Sequence, residues 1–323
     1  MRTSHYFEFE DVVTGGVRES VKHQRKMLEE RGIEYTVEPD LDADVLHLNL
    51  MGPRSIYYAK RAKRRDVPVV IHTHVTAEDF GDSFRFTNLL AKPLRPYLET
   101  AYSLGDALVC PSEYNRELIE TYSDAKTTVI SNGVDREKLE GFETLTEEYR
   151  KRYDLTPPVV FLVGHVIKRK GLREFVETAR RMPELDFVWF GPLDLSLKGR
   201  ETTKLIEESP DNCTFTGFVD DIRGAYAAGD IFFFPTHEEN EGIALLEAMS
   251  TGTPVVVRDI DTFAWLEDGH DCLKSDGTFD EQLARLTDET VRERLGENAL
   301  QTSEQFSLSN TADQLHSLYT GLT

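Results

Sequence analysis

Four acids stand close together in PTHEENEGIALLEAMSTGTP, residues 235–254: Glu238, Glu239, Glu241 and Glu247. An apolar run, IFFFP, leads into them, and a helix pattern of small residues, ALLEAMSTG, follows. Seven residues separate Glu239 from Glu247, and Gly242 lies between them, where a strand-to-helix turn belongs. A helix starting near Gly242, Ile243 or Ala244 would point its free backbone N–H groups out of the carboxyl edge of a sheet, where phosphate binds. Ligands of open α/β sheets occupy that crevice. Glu247, on the second helical turn, can accept both hydrogens of a ribose diol. Glu239, in the preceding loop, can reach hydroxyls on the far side of the phosphates, so one nucleotide sugar would be held at both ends. The competing assignment makes these acids solvated residues favoured by the helix dipole. Glu238 and Glu241 are placed in that class, whereas Glu247 sits among apolar neighbours. HEENE is not a zinc helix, because Glu241 stands where the second His belongs.

Cations gather in GHVIKRKGLREF, residues 164–175. Lys168, Arg169 and Lys170 would lie where a strand ends and a helix begins, placed to neutralise a diphosphate leaving group. His72 and His74 close the run VPVVIHTH and, two residues apart, share one face. A lone histidine at a strand end is ordinarily structural. Gly15 and Gly16 precede a long helical pattern, and a glycine pair lets backbone approach a phosphate or sugar closely. The strings Asp40-Leu-Asp42 and Asp259-Ile-Asp261 are read as chance rather than as metal sites.

Apolar runs alternate with helical patterns along the whole chain. DVLHLNL, VPVVIHTH, DALVCPS and TTVISNGVD form a first series; PVVFLVGH, LDFVWFG, NCTFTGFV, DIFFFPT and TPVVVRD form a second. Runs this continuously apolar imply parallel sheets covered on both faces, and the alternation implies an α/β fold built twice. The charged, strand-poor stretch 136–157 marks the junction. The expected division is an N-terminal domain at 1–140, a C-terminal domain at 141–305, and a terminal helix at 306–323 packing back on the first. Ser307 or Ser309 would cap that helix.

At 323 residues the chain can bury a large core. No apolar run reaches membrane-span length, and the first residues lack a signal-peptide pattern. Cys110, Cys213 and Cys272 are scattered, without metal spacing, as expected of a cytoplasmic protein. The net charge of −21, with 24 Arg and 13 Lys, argues against nucleic-acid binding and suggests adaptation to high salt. Residues 48–100 run the other way, with nine basic and five acidic groups. Within them, SFRFTNLLAKPLRPYL (83–98) mixes Phe84, Phe86, Leu89, Leu90, Leu94 and Tyr97 with Arg85, Lys92 and Arg95. That mixture suits a membrane interface. Pro93 and Pro96 would make it a helix–loop element rather than one helix. The competing assignment is an amphipathic helix packed on its own domain.

ENEGIALLEAMSTGTPVV resembles the E-x7-E motif of family 4 glycosyltransferases, which are retaining enzymes of the GT-B fold. GGVRESVKHQRKMLEERG, CPSEY, VISNGVD and RKG extend the resemblance over essentially the whole chain. HTHVTAEDFGDSFRFTNLL and FPTHEENEGIALLEAMSTGTPVVVRDID are similar to the bacterial diacylglycerol 3-glucosyltransferases of that family. The resemblance implies two Rossmann-like doubly wound domains facing a deep cleft. It implies a nucleotide-sugar donor, UDP-linked, a membrane lipid alcohol as acceptor, and neither cofactor nor metal. Lys170 matches the family lysine before Gly. The family often carries Arg after the first Gly, where this chain has His165, so the second phosphate cation stays open among Arg169, Lys168 and His165. The family also places a histidine near the donor sugar, for which His74 is the choice, and has the Gly15-Gly16 loop. Val219 matches a position whose backbone meets the base. His74, Lys170 and Glu239 are thus the catalytic candidates. Gly15, Gly16, Arg169, Lys170, Val219, Glu239, Gly242, Ile243 and Glu247 are the donor-binding candidates. The implied route is front-face retention, in which the departing phosphate oxygen takes the acceptor proton. Work at the inner face of the cell membrane follows from a lipid acceptor. The alternatives are a soluble or polyprenyl-linked acceptor, a nucleotide-sugar epimerase, and a non-catalytic binding module.

Overall fold

The computed structural model describes residues 1–80, 87–193 and 200–323, the side chains of 80, 87–92 and 200 excepted. They divide into two compact units, unit 1 holding 1–80, 88–134 and 306–323, and unit 2 built on 135–305. Of the membrane-facing candidates, Phe84, Arg85, Phe86, Leu89, Leu90 and Lys92 lie outside the described residues or side chains.

Unit 1 is a parallel sheet of β1 (Arg2–Tyr6), β2 (Glu34–Thr36), β3 (Val45–Leu48), β4 (Val69–His72), β5 (Ala107–Cys110) and β6 (Thr127–Val129). Their order is β2-β1-β3-β4-β5-β6, so the winding reverses between β1 and β3. Alternation along the strands sends Leu46, Leu48, Ile71 and Leu108 to one face and Val45, Val70, Ala107 and Val109 to the other. Helices α1 (Gly16–Glu30), α2 (Pro53–Lys63) and α3 (Thr87–Tyr102) cover these faces.

Helix α3 runs unbroken through Pro93 and Pro96, which corrects the expected helix–loop element. Each proline forfeits a backbone hydrogen bond. Leu98, Ala101 and Tyr102 nevertheless bury themselves against the sheet, and packing of that kind sets the stability of most protein helices. Arg95, expected near lipid phosphates, pairs instead with Glu78 (2.9 Å) and Glu99 (3.2 Å) and lies over the Tyr122 ring.

Unit 2 contains β7 (Val159–Val163), β8 (Asp186–Phe190), β9 (Cys213–Gly217), β10 (Ile231–Phe234), β11 (Val255–Arg258) and β12 (Leu273–Ser275). The order β12-β11-β10-β7-β8-β9 is the doubly wound dinucleotide-fold order, with its switch point between β7 and β10. Every recorded strand pairing in both units is parallel. A single core runs through the sheet, rich in aromatics such as Phe161, Phe175, Trp189 and Phe233. Here α4 (Leu172–Arg181) follows β7, and α5 (Ile243–Ser250) follows β10. The stretch 136–157 contains only helical turns and a short helix. The last helix, α6 (Leu308–Leu322), is capped by Ser307 and sets Leu308, Ala312, Leu315 and Tyr319 into the unit 1 core beside α1. Among the described residues no helix is long and apolar enough to cross a membrane.

Candidate functional site

At the unit 2 switch point two loops leave the sheet side by side. The loop after β7 folds Lys168–Lys170 into one 3-10 turn, closed by Gly171 at φ 78°. A Cβ on Gly171 would lie 2.3 Å from the Pro235 carbonyl oxygen, so only glycine lets the two loops meet. His237 N donates to the Arg169 carbonyl at 2.8 Å, and the Thr236 hydroxyl oxygen lies 3.2 Å from the same carbonyl oxygen. This seam carries Glu239 to the cations. Its Oε1 accepts from Lys170 Nζ at 2.8 Å and from Thr236 Oγ1 at 3.2 Å, and Arg169 stands 3.5 Å away. The Arg169 guanidinium also donates to the Glu238 carbonyl. Burial alone would raise the Glu239 pKa, but Lys170, Arg169 and the Thr236 hydroxyl together hold it below the ordinary carboxylate value. The Lys170 ammonium also sits 4.9 Å from the Phe234 ring centroid.

Lys168 belongs elsewhere: it is exposed and paired with Glu201. His165 is half-buried behind β7. Arg169 is therefore the cation that shares Glu239 with Lys170 in this structure.

Helix α5 begins behind Gly242, at φ 101° and without a side-chain cap. Its first internal bonds run from Leu245 and Leu246 to the Gly242 carbonyl, so the N–H groups of Gly242, Ile243 and Ala244 precede them. One turn on, Glu247 is buried. Its Oε1 accepts from Lys138 Nζ at 3.1 Å and its Oε2 from the Tyr226 hydroxyl at 2.6 Å. Sequence reasoning missed both partners. Lys138 lay in a stretch read only as a junction, and Tyr226 in AYAAGD carried no chemical signal. Glu241 is buried as well, at 4% exposure, which corrects its placement among solvated acids, while Glu238 is half-buried. Burial varies along this loop: Thr236, Glu239 and Glu241 are buried, whereas His237 is exposed. Val219, half-buried, packs on the unit 2 core beyond β9, beside Phe218, which is 73% exposed.

In unit 1, Gly15 caps α1 at φ 75° and ψ −149°, a backbone region held by glycine, and Gly16 is exposed. His74 lies just past the end of β4 and is buried. Its Nε2 lies 3.0 Å from the Asn49 side-chain amide. His74 continues a row of rings. It stacks on His72 at 4.1 Å, His72 on His47 at 5.9 Å, and His47 meets His5 edge-on at 5.0 Å. The register pairs His5 with His47 and sets His72 two residues beyond the partner of His47, so these three share one sheet face. Gln24 approaches His5 at 2.8 Å and the Tyr319 hydroxyl approaches His47 at 2.5 Å. Burial lowers the pKa of His5 to about 4 and of His72 to about 3. Burial, with the neighbouring rings, also drives His47 and His74 well below the usual value. The row is neutral at pH 7, and His74 can offer hydrogen bonds but no charge.

The family model described as Glycosyl transferases group 1 matches residues 157–291, and that described as Glycosyltransferase Family 4 matches residues 38–138. The processive diacylglycerol alpha-glucosyltransferase of Acholeplasma laidlawii is 33% identical over 314 residues, covering 94% of this chain and 93% of that one. The alpha-galactosylglucosyldiacylglycerol synthase of Streptococcus pneumoniae is 28% identical over 80% of this chain and 71% of its own. Among solved structures, Anabaena HepE in complex with UDP-glucose superposes with a TM-score of 0.77 at 16% identity, over 99% of this chain and 100% of that one. WaaG, a glycosyltransferase of lipopolysaccharide biosynthesis, superposes at 0.69 with 17% identity over 99% of each. Likeness along nearly the whole sequence, on two parallel six-stranded units, makes this chain a member of the family 4 glycosyltransferases with the GT-B fold, in the group that holds these glycolipid synthases.

Proposed function

We propose that the protein moves a hexose from a UDP-linked sugar to a lipid alcohol at the membrane surface, with retention at the anomeric carbon. The observation that carries this reading is the cluster at the β7/β10 switch point. There Lys170 and Arg169 meet Glu239 one loop away from the free N–H groups that open α5. A diphosphate fits those cations and that helix end. As the glycosidic bond breaks, charge grows on the leaving phosphate, and Lys170 and Arg169 stabilise it there.

Lys170 is held by Glu239 in the free protein, so an arriving diphosphate would share the cation rather than recruit it. Glu239 stays ionised and can accept sugar hydroxyls. Glu247 is oriented by Tyr226 and Lys138, and a carboxylate has lone pairs beyond those two contacts for a ribose diol. Neutral His74, fixed by Asn49, would orient the sugar or the acceptor hydroxyl. No proton acceptor beyond the leaving phosphate is required if attack comes from the same face. The protein's contribution is then position and electrostatics.

The acceptor follows from the relatives, since the Acholeplasma laidlawii protein is named for diacylglycerol. Such an acceptor brings the enzyme to the inner surface of the cell membrane. The test is incubation with UDP-glucose or UDP-galactose and dioleoylglycerol in mixed micelles, with the product anomer read by NMR. An α-linked glycolipid from an α-linked donor supports the reading. An inverted product, an epimerised nucleotide sugar, or transfer only to soluble sugars overturns it.

A further inference from the structure

We infer that a cavity inside unit 1 is the acyl subsite of the acceptor, and that Glu8 reserves it for lipids without a phosphate head group. The inference rests on the lipid reading above and deepens it.

The winding of unit 1 reverses between β1 and β3, where the loops 7–15 and 49–52 leave the sheet. A cavity of about 260 Å³ opens there, lined entirely by unit 1 residues. Met51, Val75, Leu94, Leu98 and the Tyr97 ring give it apolar walls, and Asn49 and His74 give it one polar end. Pockets that enclose whole small ligands run from about 300 Å³ upward, so this one suits part of a chain. The Tyr97 hydroxyl donates to the Met51 carbonyl at 2.5 Å, which leaves the ring as wall.

Phe9 also lines the cavity. It is 51% exposed and holds φ at 66°, where a bulky side chain is strained. Its carbonyl accepts from Val12 N and Val13 N, both at 3.0 Å, and that turn keeps the ring at the cavity. An exposed aromatic, an apolar cavity and a polar end that includes the candidate catalytic histidine together fit an alkyl chain carrying a hydroxyl.

The head group is read from Glu8. Helix α2 starts beside the cavity, with Gly52 and Pro53 in its wall. A helix start of this kind would ordinarily attract phosphate. Here Glu8 fills it: Oε1 accepts from Arg54 N at 3.0 Å and Oε2 from Ser55 N at 2.7 Å, with the side chain buried. A Cβ on Gly52 would lie 2.4 Å from the Glu8 carboxyl carbon, so glycine is what admits the acid. The Arg54 guanidinium is engaged with the Tyr6 ring and Glu38. A phosphate entering beside the cavity would therefore find its helix site taken by a fixed negative charge, a repulsive element of the kind that sets specificity.

The test uses diacylglycerol carrying a photoreactive group at one acyl end, presented in neutral micelles to the full chain. Labelled peptides should come from residues 49–53 and 94–102. This readout does not need sugar transfer, so it fails or succeeds separately from the proposed reaction. Labelling outside unit 1 alone would overturn the inference. Turnover is then compared between dioleoylglycerol and phosphatidylglycerol, both lipid alcohols. Wild type should favour the neutral lipid at least ~100-fold in kcat/KM, and Glu8→Gln should narrow that ratio at least ~10-fold. Leu94→Trp, which fills the cavity, should raise the KM for dioleoylglycerol ~10-fold or more and leave UDP-sugar binding by calorimetry unchanged. Equal use of both lipids by wild type, or an unchanged KM in Leu94→Trp, would reject it.

Discussion

Acid should unfold unit 1 before unit 2, and the row of buried histidines sets the size of the effect. His5, with a folded pKa of about 4, and His72, about 3, are neutral in the fold at pH values where an unfolded histidine near 6.5 is already protonated. Their folded values are depressed, so their contribution is full above pH 6.5 and is lost as pH falls from there toward 4 and 3. Over that range the unfolded chain binds more protons, and stability rises with pH. Each such group contributes a slope of about 1.4 kcal/mol per pH unit. Integrated from pH 6.5 to 4.5, with the slope only half developed at 6.5, that is about 2 kcal/mol per histidine and about 4 kcal/mol for the two, against a whole-domain stability of about 5–15 kcal/mol. His47 and His74 act in the same direction. Around His5 the charged neighbours, Arg25 and Glu10, oppose each other. Glu239 and Glu174, held below the ordinary carboxylate value despite burial, keep their charges through this window. The histidines of unit 2, His165, His237 and His270, are half-buried or exposed. Both tryptophans, Trp189 and Trp265, lie in unit 2, so their fluorescence follows that unit, while hydrogen exchange of the β1, β3 and β4 amides follows unit 1. Urea titrations at constant salt should show unit 1 protection collapsing between pH 6.5 and 4.5 while the tryptophan midpoint moves far less. His72→Asn should flatten the unit 1 slope by about one histidine. Parallel loss in both units, or an unchanged slope in His72→Asn, would refute the reasoning.

Other outcomes follow from the unit 2 cluster and from the charge. Glu247→Ala should weaken UDP binding by about 2–4 kcal/mol, and Tyr226→Phe, which removes one orienting bond, by about 1 kcal/mol, both read by calorimetry. Lys170→Ala should lower kcat about 100-fold with a smaller change in donor KM; loss confined to KM would place Lys170 in ground-state binding only. Activity and melting temperature should both rise on going from low salt to 1 M, where screening shortens to about 3 Å and the repulsion within a chain of charge −21 fades.

The apolar strands could be read because a sheet covered on both faces leaves continuous hydrophobic runs, as in VVFLV and IFFF. β1 could not. It sits between β2 and β3, yet it reads RTSHY, and Thr3, Ser4 and His5 are fully buried. Polar residues in sequence signal surface, and only tertiary partners such as Gln24, nineteen residues on, reveal a buried polar layer. The same limit applies at the site. The spacing from Glu239 to Glu247 is local and was legible. Lys138 reaches Glu247 across 109 residues of chain, and no local pattern announces it. Glu241 was misplaced for a related reason, since charge density says nothing about which way a loop turns.

The helices differ in how their first N–H groups are satisfied. The helices at 113–120, 289–303 and 308–322 are capped by the side chains of Ser112, Asp288 and Ser307. Helices α1, α4 and α5 begin instead behind Gly15, Gly171 and Gly242, all at positive φ and none with a side-chain cap, and the helices at 146–152, 223–228 and 280–285 also lack one but start behind non-glycine residues. Helix α2 also starts behind a glycine, but a carboxylate from another loop satisfies it. A helix end without a cap forgoes roughly 1 kcal/mol of stability, which a phosphate bound at the start of α5 would offset. Exchanging the two arrangements tests this. Gly242→Asp would place a carboxylate at the start of α5, in a strained backbone, and should lower diphosphate affinity by more than it lowers the melting temperature of the free protein. If UDP affinity fell only in proportion to stability, the uncapped start of α5 would be a feature of the fold and not of a donor site.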